Sequence, residues 1–283
     1  MHRILILGAR GTLGQQLARL YPDAACWDRE EIDVLDFPGF EAAVRGLPGP
    51  VEAVINCVAF NDVDGAEDRP EAAHALNAEF PGRLAALCGE LAIPLVHYST
   101  NYVFDGAQGE YAESDPPSPL SVYARSKAEG ERAVCSAAAK HYLVRTAVIF
   151  GHKGASDLSK RSFVDIMLDL AKKSSVIRAV DDEINSVTYA SDLAAATKQL
   201  LGSKAPYGVY HLSNAGSASW CDMAREIFRI TGQDHIEVQP VPSTAFPRKA
   251  RRPRKAVLLN TKAPPLRPWQ EALAGFLRST AGV

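Results

Sequence analysis

The stretch Ile4-Leu-Ile-Leu-Gly-Ala-Arg-Gly-Thr-Leu-Gly14 restricts the fold more than any other part of the chain. Ile4 to Leu7 is an unbroken apolar run, the pattern of a strand buried on both faces. Gly8, Gly11 and Gly14 follow at a fixed spacing, and Gln15 to Leu20 continues as a helix. A strand, a glycine turn and a helix N-terminus together form an anion site. The first helical amides lack internal partners, and the helix dipole adds positive charge there. Glycine lets a pyrophosphate approach the backbone and lets helix pack on strand. The turn is therefore expected to hold a dinucleotide through Gly8, Arg10, Gly11, Thr12, Leu13 and Gly14.

The rest of the chain repeats the alternation of short apolar runs and amphipathic segments that marks an α/β fold. Strands are expected at Ala24 to Trp27, Val51 to Cys57, Ile93 to Tyr98 and Tyr142 to Phe150, and again at Tyr207 to Leu212. Ala66 to Leu91 reads as a helix kinked or divided at Pro81. Within it, Asn77 reads equally well as an exposed helix residue. Gly109 to Pro119 reads as an irregular loop. Further helices are expected at Phe163 to Lys173, Val187 to Leu201 and Trp269 to Arg278. This predicts a Rossmann-type, doubly wound parallel sheet over residues 1–150, with 187–205 returning to it. A smaller α/β substrate domain then takes most of 151–283, and the polar segment Gly151 to Arg161 is expected to be a lid over the substrate.

Composition narrows the function. A formal net charge of -2 argues against a nucleic-acid binder. Five dispersed cysteines make neither a disulfide framework nor a zinc site, and no metal site is expected. No apolar run is long enough for a signal peptide or a membrane span, so a cytoplasmic protein is expected.

Asp28 follows the second strand, where a Rossmann unit contacts the adenine ribose. Its carboxylate would accept from a 2′-hydroxyl and favour NAD, whereas Arg10 and Arg29 would pair with a 2′-phosphate and favour NADP. The two signals conflict; two arginines tilt the preference to NADP(H), with NAD(H) the alternative. Ser99-Thr100 ends a central strand, where hydroxyls either face a ligand cleft or bond the turn backbone. Tyr123 and Lys127 lie four apart on an expected helix and so share a face. A neighbouring ammonium is expected to lower the phenol pKa and fit it for proton transfer to a substrate oxygen.

These motifs resemble those of the extended short-chain dehydrogenases/reductases, and within that group the dTDP-4-dehydrorhamnose reductase family. The likeness runs through Val54-Ile-Asn-Cys-Val-Ala59, Val63-Asp-Gly-Ala-Glu67, Ala75-Leu-Asn-Ala78 and His97-Tyr-Ser-Thr-Asn-Tyr-Val-Phe104. It continues in Tyr123-Ala-Arg-Ser-Lys127, Arg145-Thr146, Asp192-Leu-Ala194, Gly208-Val-Tyr-His-Leu212 and Ala250-Arg-Arg-Pro253. It implies hydride transfer to C4 of a keto sugar on a nucleoside diphosphate. Tyr123 would protonate the alkoxide, Lys127 would lower its pKa and bond the nicotinamide ribose, and Thr100 would orient the carbonyl. It further implies cofactor contacts at Asp33, Val34, Cys57, Val58, Ala59 and Asn77, and substrate contacts at Val63, Asn101, Tyr102 and Val148. Arg251 and Arg252, in the densest basic run, would pair with the diphosphate; the other reading of that run is solvated surface. A homodimer is compatible with the pattern.

Four positions depart from the family. Asn101 replaces an aspartate, Val148 a tryptophan, Asn61 a threonine, and Asn185-Ser-Val-Thr188 a Gly-Ala/Ser-Pro-Thr stretch. All four lie where the sugar is expected. The resemblance leaves two alternatives: a sugar-nucleotide epimerase, and a non-catalytic regulatory subunit like that of methionine adenosyltransferase.

Overall fold

The computed structural model describes residues 3–157, 159–203 and 205–281. Six strands form one parallel sheet in the order 208–211, 141–146, 95–100, 51–56, 3–7, 25–27. The central strands are apolar on both faces because helices cover both, which explains their uninterrupted hydrophobic runs. On one side, Leu17 of the helix Gly14–Leu20 and Leu193 of the helix Ala190–Gly202 pack on Ile6, Ile55 and Val96. On the other, Phe40, Leu84 and Val134 pack on Leu5, Leu7 and Leu143. The edge strand Gly208–His211 belongs to this large sheet, which therefore extends beyond residues 1–150.

A second core forms around Phe150, Val164, Ile227, Trp269 and Phe276. Next to it is a four-stranded sheet in the order 218–219, 184–185, 255–258, 109–111. The strand Gly109–Tyr111 corrects the expected loop. Its partner, Lys255–Leu258, lies far along the chain, so local turn residues gave no sign of it. Two other expectations are also corrected. The last long strand is divided into His141–Thr146 and Ile149–Phe150, with Val148 between them at φ 39°. The helix expected from Val187 starts at Ala190, because Thr188–Tyr189 pairs with 149–150.

The segment between residues 65 and 90 is interrupted twice, first at Arg69, which leaves helical geometry before Pro70 opens a new helix, a break that the expected kink at Pro81 did not include, and then at the turn set by Pro81. Pro81 has no N–H to donate to the carbonyl four residues back. The chain forms Gly65–Asp68 and Pro70–His74, then one π turn over Ala75–Glu79. The Phe80 amide there bonds back to Ala75. The helix Phe80–Glu90 follows with Pro81 in its first turn, where no N–H is required. The expected lid, 151–161, contains Leu158, which lies outside the described residues. No helix of the described residues is long and apolar enough to cross a membrane.

Candidate active site

The glycine turn is built for close approach. Gly8 has φ +72°, and a Cβ there would meet the Cys57 and Val58 backbone at 3.1 Å. A Cβ on Gly14 would lie 2.1 Å from the Gly8 carbonyl oxygen. The amides of Thr12 and Leu13 make no hydrogen bond among the described residues. Two open amides beside a glycine cradle fit a dinucleotide pyrophosphate. The Cys57–Ala59 segment flanks the turn, and Asn56 Oδ1 accepts from the Val58 amide at 3.0 Å. Burial raises the Cys57 thiol far above its usual range, so it stays neutral.

The segment after Phe150 rests against the same turn. Ser156 donates its amide to the Arg10 carbonyl at 3.1 Å, and Gln15 Nε2 donates to His152 O at 2.8 Å. A Cβ on Gly154 would meet Arg10 O at 2.3 Å. The expected substrate lid therefore leans on the cofactor turn.

After the strand Ala25–Trp27, Asp28 Oδ2 accepts from the Arg10 amide at 2.9 Å, and Oδ1 accepts from the Arg29 amide at 2.9 Å. Glu31 accepts from the Asp28 amide at 2.9 Å and also from the Arg10 guanidinium. Glu30 lies 3.5 Å from Arg10 and 3.4 Å from Arg29, with Asp157 3.6 Å from Arg29. Both arginines thus already have carboxylate partners, which reading Asp28 and Arg29 in isolation missed. Asp33 caps its own turn through the Leu35 amide at 2.9 Å, and Val34 packs against the core beneath.

Asn77 is completely buried. Its Oδ1 accepts from the Phe60 amide at 2.9 Å, while its Nδ2 donates to Phe60 O at 3.1 Å and Ser126 Oγ at 3.0 Å. It is neither an exposed helix residue nor open to a ligand. It clamps the loop after the strand Val51–Asn56 to the helix Val122–Ala137.

That helix starts at an N-cap, Ser121, whose side chain accepts from the Ala124 amide at 3.2 Å. It carries Tyr123, Lys127 and Glu131 on one face, all buried. The Thr100 hydroxyl is near enough to the Tyr123 phenol to act on its ionisation, and Tyr102 packs edge-on to it with ring centroids 6.3 Å apart. Val63 lies beside them. The expected lowering of the Tyr123 pKa is corrected. Burial pushes it up to about 12, with Thr100 pulling in the other direction. Lys127 is engaged elsewhere: its Nζ donates to the Tyr98 carbonyl at 2.6 Å, and burial brings its own pKa down to about 8. Glu131 opposes that drop, but is itself paired with the buried Arg145 at 2.7 Å.

Beyond Tyr102 lies a cavity of about 860 Å³ lined by Arg248, Arg251, Arg252 and Arg254. Arg252 pairs with Asp64 at 2.6 Å, and its charge acts on the buried Tyr102 phenol, which links the cavity to the Tyr123 site. Arg248 pairs with Glu183. Among the described residues Arg251 and Arg254 form no ion pair. Sequence reasoning had missed Asp64, Glu183, Arg248 and Arg254; Asp64 lies within the Val63–Glu67 motif, but nothing local ties it to Arg252, 188 residues away.

Asn101 is buried, with both amide hydrogens engaged inside the protein. Val148 holds a left-handed conformation unusual for a β-branched residue and packs against the second core. Asn61 is exposed.

A parallel sheet with a glycine-turn dinucleotide cradle and a Thr-Tyr-Lys group at its carboxyl edge defines an extended short-chain dehydrogenase/reductase. The sequence profile described as the RmlD substrate binding domain matches residues 1–281. A dTDP-4-dehydrorhamnose reductase of Mycolicibacterium smegmatis is 37% identical, covering 99% of this chain and 86% of the relative. A probable dTDP-4,6-dihydroxy-2-methyloxan-3-one 4-ketoreductase of Streptomyces antibioticus is 38% identical, covering 96% and 93%. Among solved structures, a dTDP-4-dehydrorhamnose reductase from Bacillus anthracis in complex with NADP superposes with a TM-score of 0.90 at 29% identity, over 98% and 99% of the two chains. The chain belongs to the dTDP-4-dehydrorhamnose reductase family.

Proposed function

We propose that this protein reduces the C4 ketone of a nucleotide-linked 6-deoxy-4-keto-hexose, with dTDP-4-dehydrorhamnose to dTDP-L-rhamnose as the leading pair. The observation that carries this reading is the link from Tyr123 through Tyr102 to the arginine-lined cavity. The Tyr123 phenol and the arginine-lined cavity thereby both border Tyr102. When bound, a reduced nicotinamide supplies the hydride.

The chain's own residues supply the rest. Thr100 donates a hydrogen bond to the ketone oxygen and Tyr123 transfers its proton there as charge develops. A phenol held near 12 stays protonated at neutral pH and is ready to act as the acid in reduction. Lys127, held on the Tyr98 carbonyl, lies one turn from the phenol and would bond the nicotinamide ribose. Arg251 and Arg254 take the diphosphate, while Asp64 fixes Arg252 beside Tyr102. This extends the sequence assignment of the phosphate group from Arg251 and Arg252 to Arg254.

NADPH is assigned as the preferred cofactor, since Arg10 and Arg29 can exchange their exposed carboxylate partners for a 2′-phosphate. NADH is the alternative that Asp28 supports. The free cysteines are consistent with a cytoplasmic enzyme. The test is NADPH and NADH oxidation by purified protein against a panel of dTDP- and UDP-linked 4-keto sugars. Turnover of a dTDP-linked 6-deoxy-4-keto-hexose supports the reading, and turnover of none of them overturns it.

A further inference from the structure

The two departures from the family at positions 101 and 185 touch each other. Asn101 Nδ2 donates to Asn185 Oδ1 at 2.7 Å and to the Ala256 carbonyl at 3.0 Å. Asn185 and Ala256 are register partners on adjacent strands of the small sheet. A backbone carbonyl can only accept, so it fixes which end of the Asn101 amide faces it. Asn101 Oδ1 is thereby left facing Thr100. The Thr100 hydroxyl accepts from the Tyr102 amide at 3.1 Å and directs its hydrogen to Asn101 Oδ1 across 3.4 Å. All three side chains are buried.

We propose that Asn101 and Asn185 form a neutral amide relay through which the small sheet aims the Thr100 hydroxyl, making both of them positioning residues. The inference rests on the ketone reduction proposed above. Thr100 has a single hydrogen. A neutral oxygen 3.4 Å away holds that hydrogen loosely, so it can swing to the Tyr123 oxygen or to a substrate ketone. A carboxylate at 101 would capture it in a short, charge-assisted bond. It would also turn oxygen against oxygen at Asn185 and Ala256. The relay is asymmetric: position 101 must donate, whereas position 185 need only accept. The charged or titratable groups around Tyr123 are Tyr102, Lys127 on its own helix and, beyond Tyr102, Arg252.

The asymmetry gives the test. Asn101→Asp and Asn185→Asp are near-isosteric and add the same charge, but position 185 lies one residue further from Thr100, so charge alone also makes its midpoint shift the smaller. Charge alone predicts that Asn185→Asp lowers kcat as Asn185→Ala does, whereas the relay predicts that the aspartate, which still accepts from Asn101, restores it. Protein labelled with 3-fluorotyrosine is titrated by 19F NMR without substrate or cofactor, the Tyr123 signal being identified by its loss in Tyr123→Phe. Asn101→Asp is expected to raise the Tyr123 midpoint by about one pH unit or more, and Asn185→Asp by less than half as much. On a 4-keto nucleotide sugar, Asn185→Ala is expected to lower kcat by about 5- to 10-fold with KM within about twofold. Asn185→Asp is expected to recover most of that loss, and this comparison still decides if Asn101→Asp does not fold. Equal midpoint shifts for the two aspartates, or no recovery by Asn185→Asp, would overturn the relay. A wild-type protein that turns over no keto sugar counts against the proposed function, while the titration still decides on the relay.

Discussion

Lys127 carries the largest tension between burial and charge in the site. Its folded pKa, near 8, lies below the ordinary lysine value, so between about 8 and 10.5 the unfolded chain holds the extra proton. Folding stability therefore rises with pH across that window, and below it the fold carries the cost of a buried ammonium. Lys127→Met is expected to be more stable than wild type at pH 7 by about 2 kcal/mol and to lose that advantage as pH rises to 10.5. Urea denaturation at a series of pH values checks this; a pH-independent difference would contradict it. At this scale the sequence showed which residues assemble, because Tyr123 and Lys127 lie one helical turn apart and Thr100 ends a strand. It did not show their protonation, since proximity suggested a lowered phenol pKa and burial, a property of the folded whole, raises it. Nor did it show that Asn101 meets Asn185, 84 positions on, or that Asn77 is a clamp.

At the scale of elements, the helix Val122–Ala137 is placed by one missing side chain. A Cβ on Gly130 would lie 2.0 Å from the Asn77 carbonyl oxygen, so the helix can seat against the π turn only with glycine there. Helix propensity and packing disagree in sign at this position. Propensity alone favours Gly130→Ala by about 1 kcal/mol, whereas backbone overlap costs about 1–3 kcal/mol or more. Packing should win. Thermal or urea unfolding of Gly130→Ala is expected to show a net loss of about 1–2 kcal/mol, and the variant should also lose activity as Tyr123 shifts. A stabilised, fully active variant would mean that the helix is positioned by other contacts. Periodicity revealed the helix and Pro81 the interruption, but a close backbone approach between segments some 50 residues apart leaves no local pattern.

At the scale of the whole molecule, a line of buried polar groups ties the sheet to the C-terminal segment. Arg145 bonds Glu131 at 2.7 Å, and His211 Nδ1 lies 3.0 Å from Leu259 O. Glu113 accepts from the His211 amide at 3.3 Å and the Thr261 hydroxyl at 2.7 Å. Burial first, and the Arg145 charge second, bring the His211 pKa down to about 4. His97, buried beside Lys127, is lowered too. Both are neutral in the fold and bind a proton more readily when unfolded. The His211 contribution is complete above about pH 6.5 and is lost as pH falls towards 4, up to about 3 kcal/mol. Denaturant midpoints between pH 7 and 4 should fall steeply in wild type and less steeply in His211→Asn. Parallel curves would contradict the assignment. The six-strand layer was legible from its apolar runs. The small sheet was not, because its two- to four-residue strands pair across long loops and carry no periodic signature.

The central claim is that a proton from Tyr123 completes hydride delivery to a sugar ketone. The most direct measurement is single-turnover reduction of dTDP-4-dehydrorhamnose by NADPH deuterated at the transferring position, followed by NMR of the product, in wild type and Tyr123→Phe. The expected result is deuterium at C4 of the sugar, with the variant slower by about 100-fold or more and binding NADPH as wild type does. Deuterium elsewhere in the product, or an equal rate for the two proteins, would contradict the account.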